Sequence, residues 1–155
     1  MYSKSSLRKV LPVLIAAITL IVFIWFIGYL LFSPSNDAKN LVQDFYDYEQ
    51  EGNFSKSWYL FHSKMKERLP KSFYIQDRAH VFMNHFGVET FDYEIEDVEK
   101  VENWKMSIDS PSFEVAYKVS VTQTYKGKYG NFDIKQNVFV VKEKKEWKIL
   151  WDYKK

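Results

Sequence analysis

Cysteine is absent from this chain of 155 residues, and with it go disulfides, thiol catalysis and cysteine metal sites. A strong charge of either sign is missing too. The 22 bases and 20 acids leave a formal net charge of +2, which makes no case for nucleic-acid binding. There is no internal repeat and no low-complexity tract. Aromatic residues, by contrast, make up 19% of the chain, enough to fill a real core, so a disordered chain is excluded.

Charge is absent altogether from one long stretch. Leu11 to Phe32 reads LPVLIAAITLIVFIWFIGYLLF, with Thr19 its one clearly polar side chain. At about 1.5 Å per residue such a run crosses the ~30 Å hydrocarbon core as a helix, because lipid offers the backbone no other hydrogen-bond partners. A cleaved signal peptide has an apolar region of about 7–15 residues followed by a small-residue site. This run is longer and ends Tyr29-Leu30-Leu31-Phe32, so the expectation is an uncleaved anchor. The head, residues 1–10, carries Lys4, Arg8 and Lys9 and no acid, which predicts a cytoplasmic N-terminus. All 20 acids lie beyond the span, so the following domain is expected outside the cell membrane.

Residues 33–36 read as a stem, since Pro34 cannot continue a helix interior. Residues 37–155 then read as one domain. A first helix is predicted over Asp37 to Glu51, with Ala38, Leu41, Val42, Phe45 and Tyr48 as its apolar stripe and Gly52 as its left-handed cap. A second helix is predicted from a Ser55 cap to Pro70, with Trp58, Phe61, His62, Met65 and Leu69 on one face. A third, over Ser72 to His85, offers Ile75, Ala79, Phe82, Met83 and Phe86 and ends at Gly87.

After Gly87 the apolar period drops to two. Phe91, Tyr93 and Ile95 alternate with acids. Phe113, Val115, Tyr117, Val119 and Val121 form the clearest strand. A third strand starts with Phe132, Ile134, Gln136, Val138 and Val140 on one parity. Phe139 and Val141 then make its other face apolar, which means either a bulge or burial on both faces. Trp147, Ile149, Trp151 and Tyr153 share one face of a last strand. No proline interrupts these runs. Helices followed by antiparallel strands predict an α+β domain, with helices packed on a curved sheet.

The Asn84-His85-Phe86-Gly87-Val88 helix end, the Tyr129-Gly130-Asn131-Phe132-Asp133 turn, Val140-Val141-Lys142-Glu143 and Trp147-Lys148-Ile149-Leu150-Trp151-Asp152 resemble the MecA N-terminal domain family. That is the non-catalytic, membrane-proximal domain of certain Gram-positive penicillin-binding proteins. The resemblance spans about Asp37 to Tyr153 and implies a cystatin-like fold, as in nuclear transport factor two. In the family the domain leads into a transpeptidase. None is expected in this chain, which ends two residues past Tyr153, so no catalytic residue carries over.

The candidate constellations read mostly as structure. Ser6/Lys9 and Ser63/Lys66 have the Ser-x-x-Lys spacing of penicillin-binding enzymes, but no Ser-x-Asn or Lys-Thr-Gly follows. His62, His80 and His85 lack the three- or four-residue spacing that aligns metal ligands on a helix. The acidic run Asp92, Glu94, Glu96, Asp97 and Glu99 alternates as a solvated strand face does, without the glycine-centred loop that calcium needs. Phe91, Tyr93, Tyr117, Trp147 and Trp151 either fill the core or line a cavity. The expectation is thus a non-enzymatic, membrane-anchored envelope module, a protein-interaction or spacer domain, with no cofactor, an envelope protein partner and the membrane contacted through Leu11 to Phe32. The rivals are a scaffold subunit of a conjugation or secretion apparatus, and a small-molecule binder using the cone of the fold.

Overall fold

A computed structural model describes residues 4–31, 33–81, 87–88 and 90–153. The chain divides into two units, one ending at Asn36 and the other beginning at Asp37.

The first unit is built on helix α1, Lys4–Leu31. Among the described residues it is the one helix long and apolar enough to cross a membrane. Its window Leu11–Gly28 has a mean hydropathy of 2.7, and none of it is buried. Thr19 turns its hydroxyl back to the carbonyls of Ile15 (3.0 Å) and Ala16 (2.9 Å), so this polar side chain needs no water. A helix of this kind serves as a membrane anchor or as a signal sequence. Phe32 lies outside the described residues.

The second unit is α+β. Helix α2 spans Pro34–Gln50, so the predicted stem is helical from Pro34, the first-turn position where a missing N–H costs nothing. Its buried face is Ala38, Val42, Phe45, Tyr46 and Glu49, rotated from the predicted stripe; Leu41 and Tyr48 are half-buried. Gly52 (φ +71°) ends the helix as expected. Its N–H donates to Glu49 O (3.1 Å) and that of Asn53 to Tyr48 O (2.7 Å), the paired bonds of a Schellman motif.

The predicted second helix is two: α3, Phe54–Tyr59, and α4, Ser63–Arg68. The break has a physical cause. Between them, Leu60 to His62 leaves helical geometry to pair with the last strand. The Ile149 N–H donates to Leu60 O and the His62 N–H donates to Ile149 O, both at 2.9 Å. Phe61 is thereby driven into the core, fully buried, and the edge of the last strand is covered. Asn53, rather than Ser55, precedes α3, and it makes no side-chain cap. Helix α5 is Lys71–Ala79. Phe82, Met83, Asn84, His85 and Phe86 lie outside the described residues.

Four antiparallel strands follow as a meander in the order β1-β2-β3-β4: Phe91–Lys105, Ser112–Gly127, Gly130–Glu143 and Glu146–Trp151. The two options for β3 resolve toward burial on both faces. Val138, Phe139, Val140 and Val141 are all buried, while the β2–β3 register runs without a shift. The irregularity sits in β1 instead, between Ile95 and Val98. One sheet face packs against the helices through Phe45, whose ring lies 5.3 Å from Phe61 and 6.3 Å from Trp151. On the sheet, Trp104 stacks on Phe139 at 4.1 Å. Helices against a curved antiparallel sheet is the layout expected from the sequence.

Candidate functional site

The most concentrated chemistry of the second unit lies where α2, α3 and α5 meet the sheet. Glu49 stands on the buried face of α2, with its side chain fully removed from solvent. A carboxylate in that position must have its lone pairs filled. Tyr74 and Arg78, four residues apart and so on one face of α5, supply two of the partners. The Tyr74 hydroxyl donates to Oε1 at 2.6 Å, and the Ser57 hydroxyl, from α3, donates to the same oxygen. Arg78 reaches Oε2 with Nε at 2.6 Å and also with Nη2.

Two more buried phenols border this cluster. Tyr125 donates to Gln123 Oε1 at 2.7 Å and Tyr46 to Gln136 Oε1 at 3.2 Å. Burial pushes the Tyr125 phenol up to about 12, against the opposing pull of Arg78. Burial also holds Tyr46 above its ordinary value, and burial reinforced by the Glu49 charge raises Tyr74 further. For Arg78, burial acts to lower the value and the Glu49 carboxylate more than offsets it. All three phenols are therefore protonated donors at neutral pH.

Beside the cluster opens a cleft of about 440 Å³, lined among others by Glu49, Phe54, Ile75, Arg78, Phe91 and Tyr125. One wall is fastened by Gln50, whose Nε2 donates to Phe91 O (2.7 Å) and whose carbonyl accepts from Thr90 Oγ1 (3.1 Å). Such a cleft can hold a small, partly apolar molecule. Both oxygens of the Glu49 carboxylate are already engaged.

Of the five aromatic residues singled out from the sequence, Phe91 lines this cleft. Tyr93 lies against Tyr46 (5.4 Å) and donates to Asp47. Trp151 sits among Phe45, Phe61 and Tyr74, and its buried Nε1 has no hydrogen-bond partner among the described residues. Tyr117 and Trp147 meet edge to face at 5.6 Å. The structure thus does not bring the five to one cavity.

Ser63 and Lys66 do not form a nucleophile pair. The Lys66 amine donates to the carbonyl of Tyr59 (3.1 Å), while Ser63 Oγ lies beside His62. His62 caps α4: its Nδ1 accepts from the Lys64 N–H at 3.1 Å. Among the described residues no three His, Cys, Asp or Glu side chains converge as a metal site. The acidic run of β1 is exposed, and Asp92, Glu96 and Glu99 pair with Lys126, Lys135 and Lys118 on its neighbours.

The residues missed from sequence are Glu49, Ser57, Tyr74 and Arg78. The four-residue spacing of Tyr74 and Arg78 was the one available signal, and it names no partner across 29 residues. The chain as a whole matches no protein-family profile and no curated protein.

Proposed function

We propose that the protein is a single-pass membrane protein of the cell envelope, with a cytoplasmic N-terminus and an outer α+β domain that holds a protein partner without catalysing a reaction. The domain would be a relative of the MecA N-terminal domains. The observation that carries the reading is the uncharged Leu11–Gly28 stretch of α1, followed in the chain by a domain with a sheet-and-helix core. The full engagement of the Glu49 carboxylate adds support. A general base must be able to accept a proton from substrate, and a carboxylate already held by Arg78, Tyr74 and Ser57 is committed to structure.

Two measurements test this reading. The chain has no cysteine, so single cysteines placed in the head and in the domain report sidedness through a membrane-impermeant reagent. Labelling of the domain alone in intact cells is expected, and labelling of the head alone overturns the orientation. A photocrosslinker on the domain in living cells is expected to capture a wall-synthesis protein. Capture of transfer-channel subunits moves the assignment to a conjugation or secretion scaffold, and no envelope adduct at all overturns both.

The cleft of about 440 Å³ favours a second reading, a small-molecule binder. Native mass spectrometry of the purified chain is its test, with a reproducible non-lipid adduct lost in an Ile75→Trp variant as the supporting result.

A further inference from the structure

The charge of the second unit is near balance overall but sharply divided. Residues 54–73, covering α3, α4 and the start of α5, carry Lys56, Lys64, Lys66, Arg68 and Lys71 against Glu67 alone. The β3–β4 hairpin, residues 142–148, adds four lysines against Glu143 and Glu146. These two segments are neighbours in space: α4 packs against β4, and the Ser63 N–H donates to Glu143 at 3.3 Å. Strand β1 is the opposite, with six acids and two bases.

The basic face has an aromatic centre. Tyr59 is 56% exposed, whereas Tyr46, Tyr74, Tyr117 and Tyr125 are buried. Lysines surround it. Lys71 Nζ lies 4.1 Å from its ring centre and donates to its hydroxyl at 3.0 Å. Lys66 Nζ lies 5.0 Å from the Trp58 ring and bonds the Tyr59 carbonyl. Arg68 covers Tyr153 at 3.9 Å. Amphipathic rings ringed by long basic side chains suit the headgroup layer of a bilayer, where the ring sits at the apolar boundary and the amines reach phosphate.

We infer that this face, formed by Tyr59, Lys64, Lys66, Lys71 and the Lys144–Lys145 hairpin tip, docks on anionic lipid headgroups of the membrane that α1 enters. The inference rests on the anchor reading above. Three physical terms favour lipid over a soluble partner. The span places the domain at a high effective concentration of headgroups, so each weak contact counts. Each lysine near an anionic surface strengthens attachment roughly fivefold. The acids of β1 are repelled by the same surface, which selects one orientation of the domain.

The test uses the full chain in vesicles of phosphatidylcholine alone or mixed equally with phosphatidylglycerol. Single-cysteine fluorophores are placed at Ser72, exposed beside Lys71, or at Glu94, exposed on β1, and quenched by a nitroxide on the lipid headgroup. The expected result is stronger quenching at Ser72 in the phosphatidylglycerol vesicles, with no such gain at Glu94. Salt near 1 M, where the screening length falls to about 3 Å, should abolish the gain. Lys64→Gln with Lys145→Gln should weaken docking roughly 25-fold. Equal quenching in both lipids overturns the inference. So does a Ser72 label that responds to added inorganic polyphosphate but not to phosphatidylglycerol, which would make the face a site for a soluble polyanion. Vesicle flotation after an alkaline carbonate wash separates the two readings. A chain washed off the vesicles overturns the anchor and this inference together. A chain that stays, with a label indifferent to lipid, overturns the docking alone.

Discussion

Two clusters in the same domain use the same side-chain types to opposite ends. Around Glu49, one arginine, one tyrosine and one serine converge on a carboxylate with no exposed surface. Around the exposed Tyr59, half-buried lysines gather on aromatic rings at the surface. The first is expensive to leave incomplete, because a buried charge without a partner has neither water nor counter-charge. The second contributes little to folding, because contacts of half-buried amines that still reach water gain little Coulomb energy, and burial already holds the Lys66 amine below its ordinary value. Polar chemistry at the first place therefore sets stability, and at the second it is free to serve binding.

The sharpest way to break this comparison is at Arg78. Arg78→Ala leaves Glu49 buried and unpaired and should cost about 3–5 kcal/mol, read from urea unfolding of the full chain in detergent micelles. A double variant, Glu49→Gln with Arg78→Met, should recover most of that loss. If the single variant costs under about 1 kcal/mol, the pair is not the buried group described here. Core truncation gives a yardstick of similar size. Phe61→Ala removes the ring that touches Phe45, Tyr74 and Trp151 and should also cost about 3–5 kcal/mol.

A smaller effect is expected at the start of α4. His62 is pushed below its ordinary value of 6.5 by burial, against the opposing pull of Glu143. The fold thus favours the neutral ring, whose Nδ1 accepts the Lys64 N–H that caps α4. Stability from this group is complete above about pH 6.5 and is lost as the pH falls through that value toward the folded one. Glu143 is held below its ordinary value because bonds from Ser63 and the His62 charge outweigh its burial. Its contribution is lost in the same direction, at lower pH. His62→Asn keeps a cap acceptor and should flatten the stability profile below about pH 6.5; an unchanged profile would remove His62 as its cause.

At the small end, Lys64→Gln and Lys145→Gln should each change stability by less than about 0.5 kcal/mol. Should either unfold the domain, the contrast between the clusters would fail, whatever the lipid measurements show.

Legibility from the sequence followed the range of the interactions. The end of α2 at Gly52 and the strand alternation of β2 depend on neighbours within a few residues, and both stand where the residues place them. The second helix was misread for the complementary reason. Trp58, Phe61, Met65 and Leu69 have helical spacing, yet Leu60–His62 pairs with Ile149, 89 positions beyond Leu60, and no local pattern carries that bond. Tyr46 and Glu49 were left off the apolar stripe because a polar atom is buried only where a distant partner waits, here Gln136 for one and Arg78 for the other. The aromatic five were chosen by type, and type does not separate a ring lining the cleft from one packed on Phe45.

By itself the sequence determined the apolar helix, the α+β order of elements and the division of charge along the chain. These depend on composition and on periods of two and 3.6, which any local window contains. Only the tertiary structure decided that Glu49 is held by Arg78, Tyr74 and Ser57, that a cleft opens beside them, and that the basic segments 54–73 and 142–148 lie together. Each joins residues far apart in the chain, and such pairs are chosen by the packing of the whole core rather than by any neighbour in sequence.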